Sequence, residues 1–192
     1  MQIITISRKK LGTAIILMGI VVLVLGFTKS FSGKFTSLIK NDTNSLSEYT
    51  ELNGRIKYKF PSKWQVKKQD ISGNEILCHS DFRSNDGKIS GFFQVWTFKG
   101  DLKTFLKNSK IISDKQNLYK YYSLKDIDLD GKRGYLLKYN ITKPVGDSYI
   151  GEEYFIENGN EFCRFSFFVK ENDFKENMSN IFKTIVETLK YN

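Results

Sequence analysis

The chain has 192 residues, 30 Lys and Arg against 21 Asp and Glu, and a formal net charge of +9. Arg8, Lys9, Lys10 and Lys29 flank an apolar run, and without these four the balance is 26 basic to 21 acidic. The excess charge is therefore partly an anchor signature, and nucleic acid is not an expected partner. One His and two Cys do not complete a zinc set, so no metal or cofactor is expected.

Between Lys10 and Lys29 lie eighteen uncharged residues, LGTAIILMGIVVLVLGFT. At about 1.5 Å per residue they span roughly 27 Å, near the thickness of a hydrocarbon core. The run has no polar stripe, as a core helix would. A cleaved signal peptide is the rival reading, but its apolar region is shorter and ends in an A-x-A-like site. Here the run ends in Gly26-Phe27-Thr28-Lys29, and no Cys follows it as a lipid attachment site. Residues 11–28 therefore read as a transmembrane signal anchor. Arg8-Lys9-Lys10 places residues 1–10 in the cytoplasm and the rest outside the membrane.

Residues 29–48 are polar and read as a tether. Residues 49–192 read as one extracytoplasmic domain. Arg55-Ile56-Lys57-Tyr58-Lys59-Phe60 alternates strictly, which predicts a strand with Ile56, Tyr58 and Phe60 facing a core. Asn53-Gly54 predicts a hairpin with 49–52 before it. Pro61 stops the strand, and Trp64 packs over its end. A second hairpin is expected from 75–80 and 89–98. The latter strand is apolar on both sides, with Phe93 and Val95 on one and Phe92, Trp96 and Phe98 on the other, so it is central. Residues 101–109 predict a short helix capped by Asp101, with Leu102, Phe105 and Leu106 as its buried stripe. Strands 119–129 and 134–141 flank Asp130-Gly131, and strands 149–156 and 161–169 flank Asn158-Gly159. Phe174, Met178, Ile181, Phe182, Ile185 and Leu189 predict an amphipathic C-terminal helix, capped by Asn172 or Asp173, with Glu176 early where the dipole favours an anion. The expected class is α+β, an antiparallel sheet of about six strands flanked by helices.

Three places in this pattern resemble the PsbP-like family: Phe60-Pro61-Ser62-Lys63-Trp64 at the end of the opening strand, Asp130-Gly131-Lys132-Arg133-Gly134-Tyr135 leading into a Tyr-containing strand, and the closing hairpin, aromatic strand and helix over 154–189. The resemblance implies an α/β/α sandwich with a central antiparallel sheet. Its members include a photosystem accessory protein, a nuclear-transport factor that binds a small GTPase, and bacterial envelope lipoproteins. They are mostly binding or assembly factors, without a shared catalytic site. This chain departs from the lipoproteins in its anchor, so no functional residue carries over.

Few residues invite a chemical reading. Asp126-Ile127-Asp128-Leu129-Asp130-Gly131 matches the start of a calcium loop, but position twelve, a bidentate Glu in such loops, is Leu137. The alternation with Ile127 and Leu129 fits a solvated strand face instead. His79, the only histidine, lies in a strand beside Cys78 with no nucleophile motif around it and reads as structural. Asp126, Asp128, Glu152 and Glu153 stand on neighbouring strands, but no spacing sets two of them across a cleft. Cys78 and Cys163 could pair outside the cytoplasm. Cys163 also alternates with Phe165 and Phe167 as a small buried hydrophobe does, which favours free thiols. Arg55, Lys57 and Lys59, with Lys67 and Lys68 nearby, form a basic row, either a solvated protected edge or a partner surface. The expected function is a membrane-anchored, non-enzymatic binding or assembly module of the bacterial cell envelope, acting on another envelope protein. The alternative is a module that binds a lipid headgroup or an anionic polymer.

Overall fold

The computed structural model describes residues 45–70, 75–114, 117–142 and 147–192. The expected anchor and most of the tether lie outside them. Among the described residues no helix is long and apolar enough to cross a membrane. The described residues fall into two units, one comprising the stretch from Gly100 to Asn117 and the other the remainder.

The smaller unit holds helix α1 (Leu102–Ser113), whose N-cap Asp101 accepts from the Thr104 amide at 2.6 Å. Leu102 and Leu106 are buried as the stripe predicts, Phe105 is only half-buried, and the helix runs four residues further than expected.

The larger unit contains a seven-stranded antiparallel sheet in the order β3-β4-β5-β9-β8-β7-β6 and a three-stranded sheet in the order β1-β2-β10. The strands are β1 (Leu46–Glu51), β2 (Ile56–Pro61), β3 (Gln65–Gln69), β4 (Ile76–Arg83), β5 (Ile89–Thr97), β6 (Leu118–Leu129), β7 (Lys132–Thr142), β8 (Ser148–Asn158), β9 (Glu161–Lys170) and β10 (Lys190–Tyr191). Helix α2 (Glu176–Glu187) precedes β10. The expected hairpins are present, and β5 has a neighbour on each side, as its two apolar faces require. Strand β1 starts at Leu46, before the expected boundary, because Leu46 to Glu51 pair in register with Pro61 to Ile56.

Three details depart from the expectation. Strand β3 has a single apolar residue, Val66, so nothing in its pattern announces a strand; it is an edge, held by pairing with β4 alone. Asn158 pairs with Glu161 in the ladder, so the last hairpin turns at Gly159-Asn160, with Gly159 at φ +61°. Neither Asn172 nor Asp173 caps α2: Lys170 precedes a 3-10 turn at Glu171–Asp173, and Lys175 is the N-cap, without a side-chain bond.

One face of the large sheet carries Cys78, Phe82, Phe93, Val95, Tyr154, Ile156, Cys163, Phe165, Phe167 and Val169. Ile56, Tyr58 and Phe60 of the small sheet pack on it, with ring centroids 4.1 Å apart for Tyr58–Phe93 and 4.5 Å for Phe60–Phe82. Trp64 stacks on Phe60 and Phe82, as expected for a ring over the strand end. Beside it α2 buries Met178, Phe182, Ile185 and Val186, and Phe182 stacks on Phe167 at 4.3 Å. This face is therefore covered by a sheet and a helix together. Each fully buried Phe contributes roughly 1.5–3 kcal/mol of hydrophobic stabilisation, so the cluster is the main reason the two sheets hold together. Polar contacts pin its margins. Glu51 of β1 accepts from Ser80 and pairs with Lys68, and Glu152 of β8 accepts from Lys138 and from Ser179 of α2.

Candidate functional site

The other face of the large sheet carries the densest group of polar side chains in the described residues. His79, Gln94, Glu153, Arg164 and Ser166 are all buried there, among Phe92, Trp96, Phe155, Phe162 and Phe168. Strand alternation sets this face. Each of these residues neighbours one that points into the core cluster, so its own side chain points the opposite way.

The first half of the group is a relay of hydrogen bonds with one consistent direction. An indole N–H can only donate. Trp96 Nε1 donates to Gln94 Oε1 at 2.9 Å, which turns the Gln94 amide nitrogen toward His79 Nδ1, 2.8 Å away. Nδ1 therefore accepts, and the ring proton sits on Nε2, which donates to Asp81 Oδ1 at 2.8 Å. Gln69 Nε2 donates to the second oxygen of Asp81 at 2.9 Å. Burial works to raise the Asp81 carboxyl, but the bonds from His79 and Gln69 outweigh it and hold it below the usual carboxylate range. Phe92 stacks on the His79 ring.

The second half is a buried ion pair. Arg164 Nε and Nη2 both reach Glu153 Oε2, at 2.7 and 2.5 Å. Ser166 Oγ donates to the same oxygen at 2.7 Å, and Tyr139 OH donates to Oε1 at 2.7 Å. The guanidinium carbon lies 4.8 Å from the Phe92 ring centre and 5.4 Å from that of Phe155. Only Arg164 Nη1 is left without a partner. Burial and the neighbouring Glu153 push the Tyr139 hydroxyl well above its usual range, so it remains a donor. Tyr139 reaches Glu153 because its cross-strand partner is Gly151: a Cβ there would lie 2.3 Å from the Tyr139 ring.

Both His79 nitrogens and both Glu153 oxygens are engaged. Cys78 and Cys163 are free and buried on the opposite face from His79. Val95 pairs with both of them, so one strand separates the two cysteines. Two strand spacings, roughly 9.5 Å between Cα atoms, exceed disulfide reach. Burial pushes the Cys78 thiol up to about 12 and raises that of Cys163 further.

The other residues singled out in the sequence are not brought together. Asp126, Asp128 and Asp130 are exposed, and Asp128 accepts from the Gly131 amide at 2.8 Å, which closes the turn. Glu152 and Glu153, adjacent on β8, point to opposite faces. Of the basic row, Lys57 and Lys59 lie on the outer side of the small sheet. Arg55 sits in the preceding turn and pairs with Glu161 at 3.2 Å. Lys67 and Lys68 alternate on β3, and Lys68 is paired with Glu51. The relay and the ion pair escaped the sequence reading, though a signal existed. His79-x-Asp81 and Gln94-x-Trp96 put polar partners two residues apart on central strands, and Arg164 and Ser166 interrupt an otherwise aromatic strand.

No family profile matches the sequence, and no curated protein sequence does. Solved structures do match. The solution structure of cyanobacterial PsbP (CyanoP) from Synechocystis aligns with a TM-score of 0.54 at 14% identity, over 85% of this chain and 98% of that one. A Bacteroides thetaiotaomicron crystal structure aligns with a TM-score of 0.49 at 15% identity, over 76% of this chain and 48% of that one. A protein of unknown function from Pseudomonas aeruginosa aligns with a TM-score of 0.46 at 16% identity, over 77% of this chain and 97% of that one. With the sheet order described above and the alignment to CyanoP, the chain has a PsbP-like fold.

Proposed function

We propose that this protein is a non-enzymatic binding or assembly module, held at a membrane by residues 11–28 with its folded domain outside the cytoplasm. The three-layer α/β/α arrangement implied by the family resemblance belongs to the same proposal. One observation carries the non-enzymatic reading: the only histidine has both ring nitrogens bonded within the relay, so no imidazole is available as a general base. The thiols offer no substitute, since burial keeps them protonated near neutral pH. A tether and anchor suit a binder, because they raise its effective concentration for neighbours at the membrane.

The test uses the full chain in cells. His79→Gln retains a hydrogen-bonding side chain and should behave as wild type, while a chain ending at residue 48 should lose function. If His79→Gln reproduces the truncation while remaining folded and abundant, the module is performing chemistry. Intact mass of the purified protein tests the anchor: a mature N-terminus near Ser30 overturns it.

A further inference from the structure

The outer side of the small sheet carries a cationic cluster that strand pairing assembles from both ends of the domain. Ile56, Tyr58 and Phe60 are buried, so Lys57 and Lys59 between them point outward. Leu189 is buried and Tyr191 packs against the core, so Lys190 points outward too. Strand β10 pairs with β2 so that Lys190 stands directly opposite Lys57. The other neighbour of Lys57 is Thr50 of β1, so Lys57 has no acid opposite it on either side. Glu48 opposite Lys59 is the single acidic residue that β1, β2 and β10 present outward. Like charges directly opposite in a ladder destabilise the pairing. An anionic surface laid across both ammonium groups reverses that penalty.

We infer that this face docks on the anionic lipid headgroups of the membrane that anchors the chain. The inference rests on the anchoring proposed above and deepens it by naming the surface and its partner. Seventeen residues lie between the apolar run and Leu46, from Lys29 to Ser45. Even fully extended, seventeen residues reach no further than roughly 60 Å. The chain enters the folded domain at β1, a member of this same small sheet. The lysines are thus on the element delivered nearest to the bilayer, and electrostatic attraction needs to act only over the last Debye length, about 8 Å at physiological salt. Arg55 and Lys68, both in the expected basic row, are excluded because each is paired with a glutamate.

The full chain is reconstituted in nanodiscs of phosphatidylcholine, with and without 30 mol% phosphatidylglycerol, and amine acylation is read lysine by lysine by mass spectrometry. The expected result is protection of Lys57, Lys59 and Lys190 by about fivefold each in the anionic discs, the factor matching ~1 kcal/mol per lysine. Half-molar salt should reverse it, and Lys125 on β6 serves as the reference. The variant K57Q/K190Q, both substitutions being on the outer side, should fold as wild type and lose the protection at Lys59. Equal acylation in both lipids overturns the proposal. Equal protection by soluble long-chain polyphosphate in the zwitterionic discs assigns the face to a soluble polyanion and overturns the membrane assignment. A chain that does not incorporate into discs overturns the anchoring itself, which is a different failure from incorporating without protection.

Discussion

Trp96 sets the orientation of Gln94. Its indole Nε1 lies 2.9 Å from Gln94 Oε1 and can act only as a donor. The amide nitrogen is left facing His79 Nδ1, and the Asp81 carboxylate, which can only accept, faces Nε2, so both neighbours select the Nε2-protonated tautomer. Nitrogen-15 NMR of the imidazole should show the Nε2-protonated tautomer. Trp96→Phe removes the donor and strands a buried amide oxygen, which costs about 1–3 kcal/mol in a denaturant melt. In that variant the amide is free to turn, while the Asp81 carboxylate still accepts from Nε2, so the Nε2 proton should remain. An Nδ1-protonated ring in the wild type would show that the relay runs the other way.

Arg164 and Glu153 form the buried ion pair of the second face, and each is about 3% exposed. Removing one partner leaves a buried charge uncompensated, so Arg164→Met should cost about 3–5 kcal/mol. Adding Glu153→Gln to it should recover part of that loss, since the amide discards the charge, keeps an oxygen for one of Tyr139 and Ser166, and offers its N–H to the other hydroxyl. Urea midpoints of the two variants decide the matter. A double variant less stable than Arg164→Met by itself would show that the pair does not act through charge compensation.

Gly151 gives Tyr139 its place over β8. Gly151→Ala drives a methyl into the ring, and the displaced hydroxyl leaves Glu153 with one donor fewer. The expected loss is about 1–3 kcal/mol. Tyr139→Phe isolates the hydrogen-bond share of that loss, and thermal melts of both variants compare them directly.

Cys78 and Cys163 make the domain sensitive to alkali. Burial raises both thiols in the folded state, Cys78 to about 12, against roughly 8.5 in an unfolded chain. An acid whose folded value is raised contributes its full stability below the unfolded value. That contribution falls as pH rises toward the folded one. Stability should therefore decline above about pH 8.5 by ~1.4 kcal/mol per pH unit for each thiol. Urea midpoints from pH 7.5 to 10 should trace the slope, and Cys78→Ala/Cys163→Ala should flatten it even though its absolute stability is lower. A disulfide would give neither the slope nor a reaction with thiol reagents in denaturant.

The sequence by itself determined the local elements whose signal repeats within a few residues. Ile56, Tyr58 and Phe60 alternate, Asp130-Gly131 turns, and Met178, Phe182 and Ile185 recur at helical spacing. Their burial and pairing follow from side-chain geometry along one strand or one helix. Tertiary structure decided what a single strand cannot state, namely how much water each face meets. Arg164, Ser166 and Gln94 alternate with aromatic neighbours and His79 with Cys78 and Ser80, a position that reads as solvated in any one strand. In the seven-stranded sheet the same side chains are buried, and burial obliges them to satisfy one another. Partners far apart in sequence were likewise decided only by strand pairing. Val95 stands between Cys78 and Cys163, and Lys190 meets Lys57 across a ladder joining the two ends of the domain. Such pairings join residues as far apart as Lys57 and Lys190, and hydrophobic periodicity carries no information about that register.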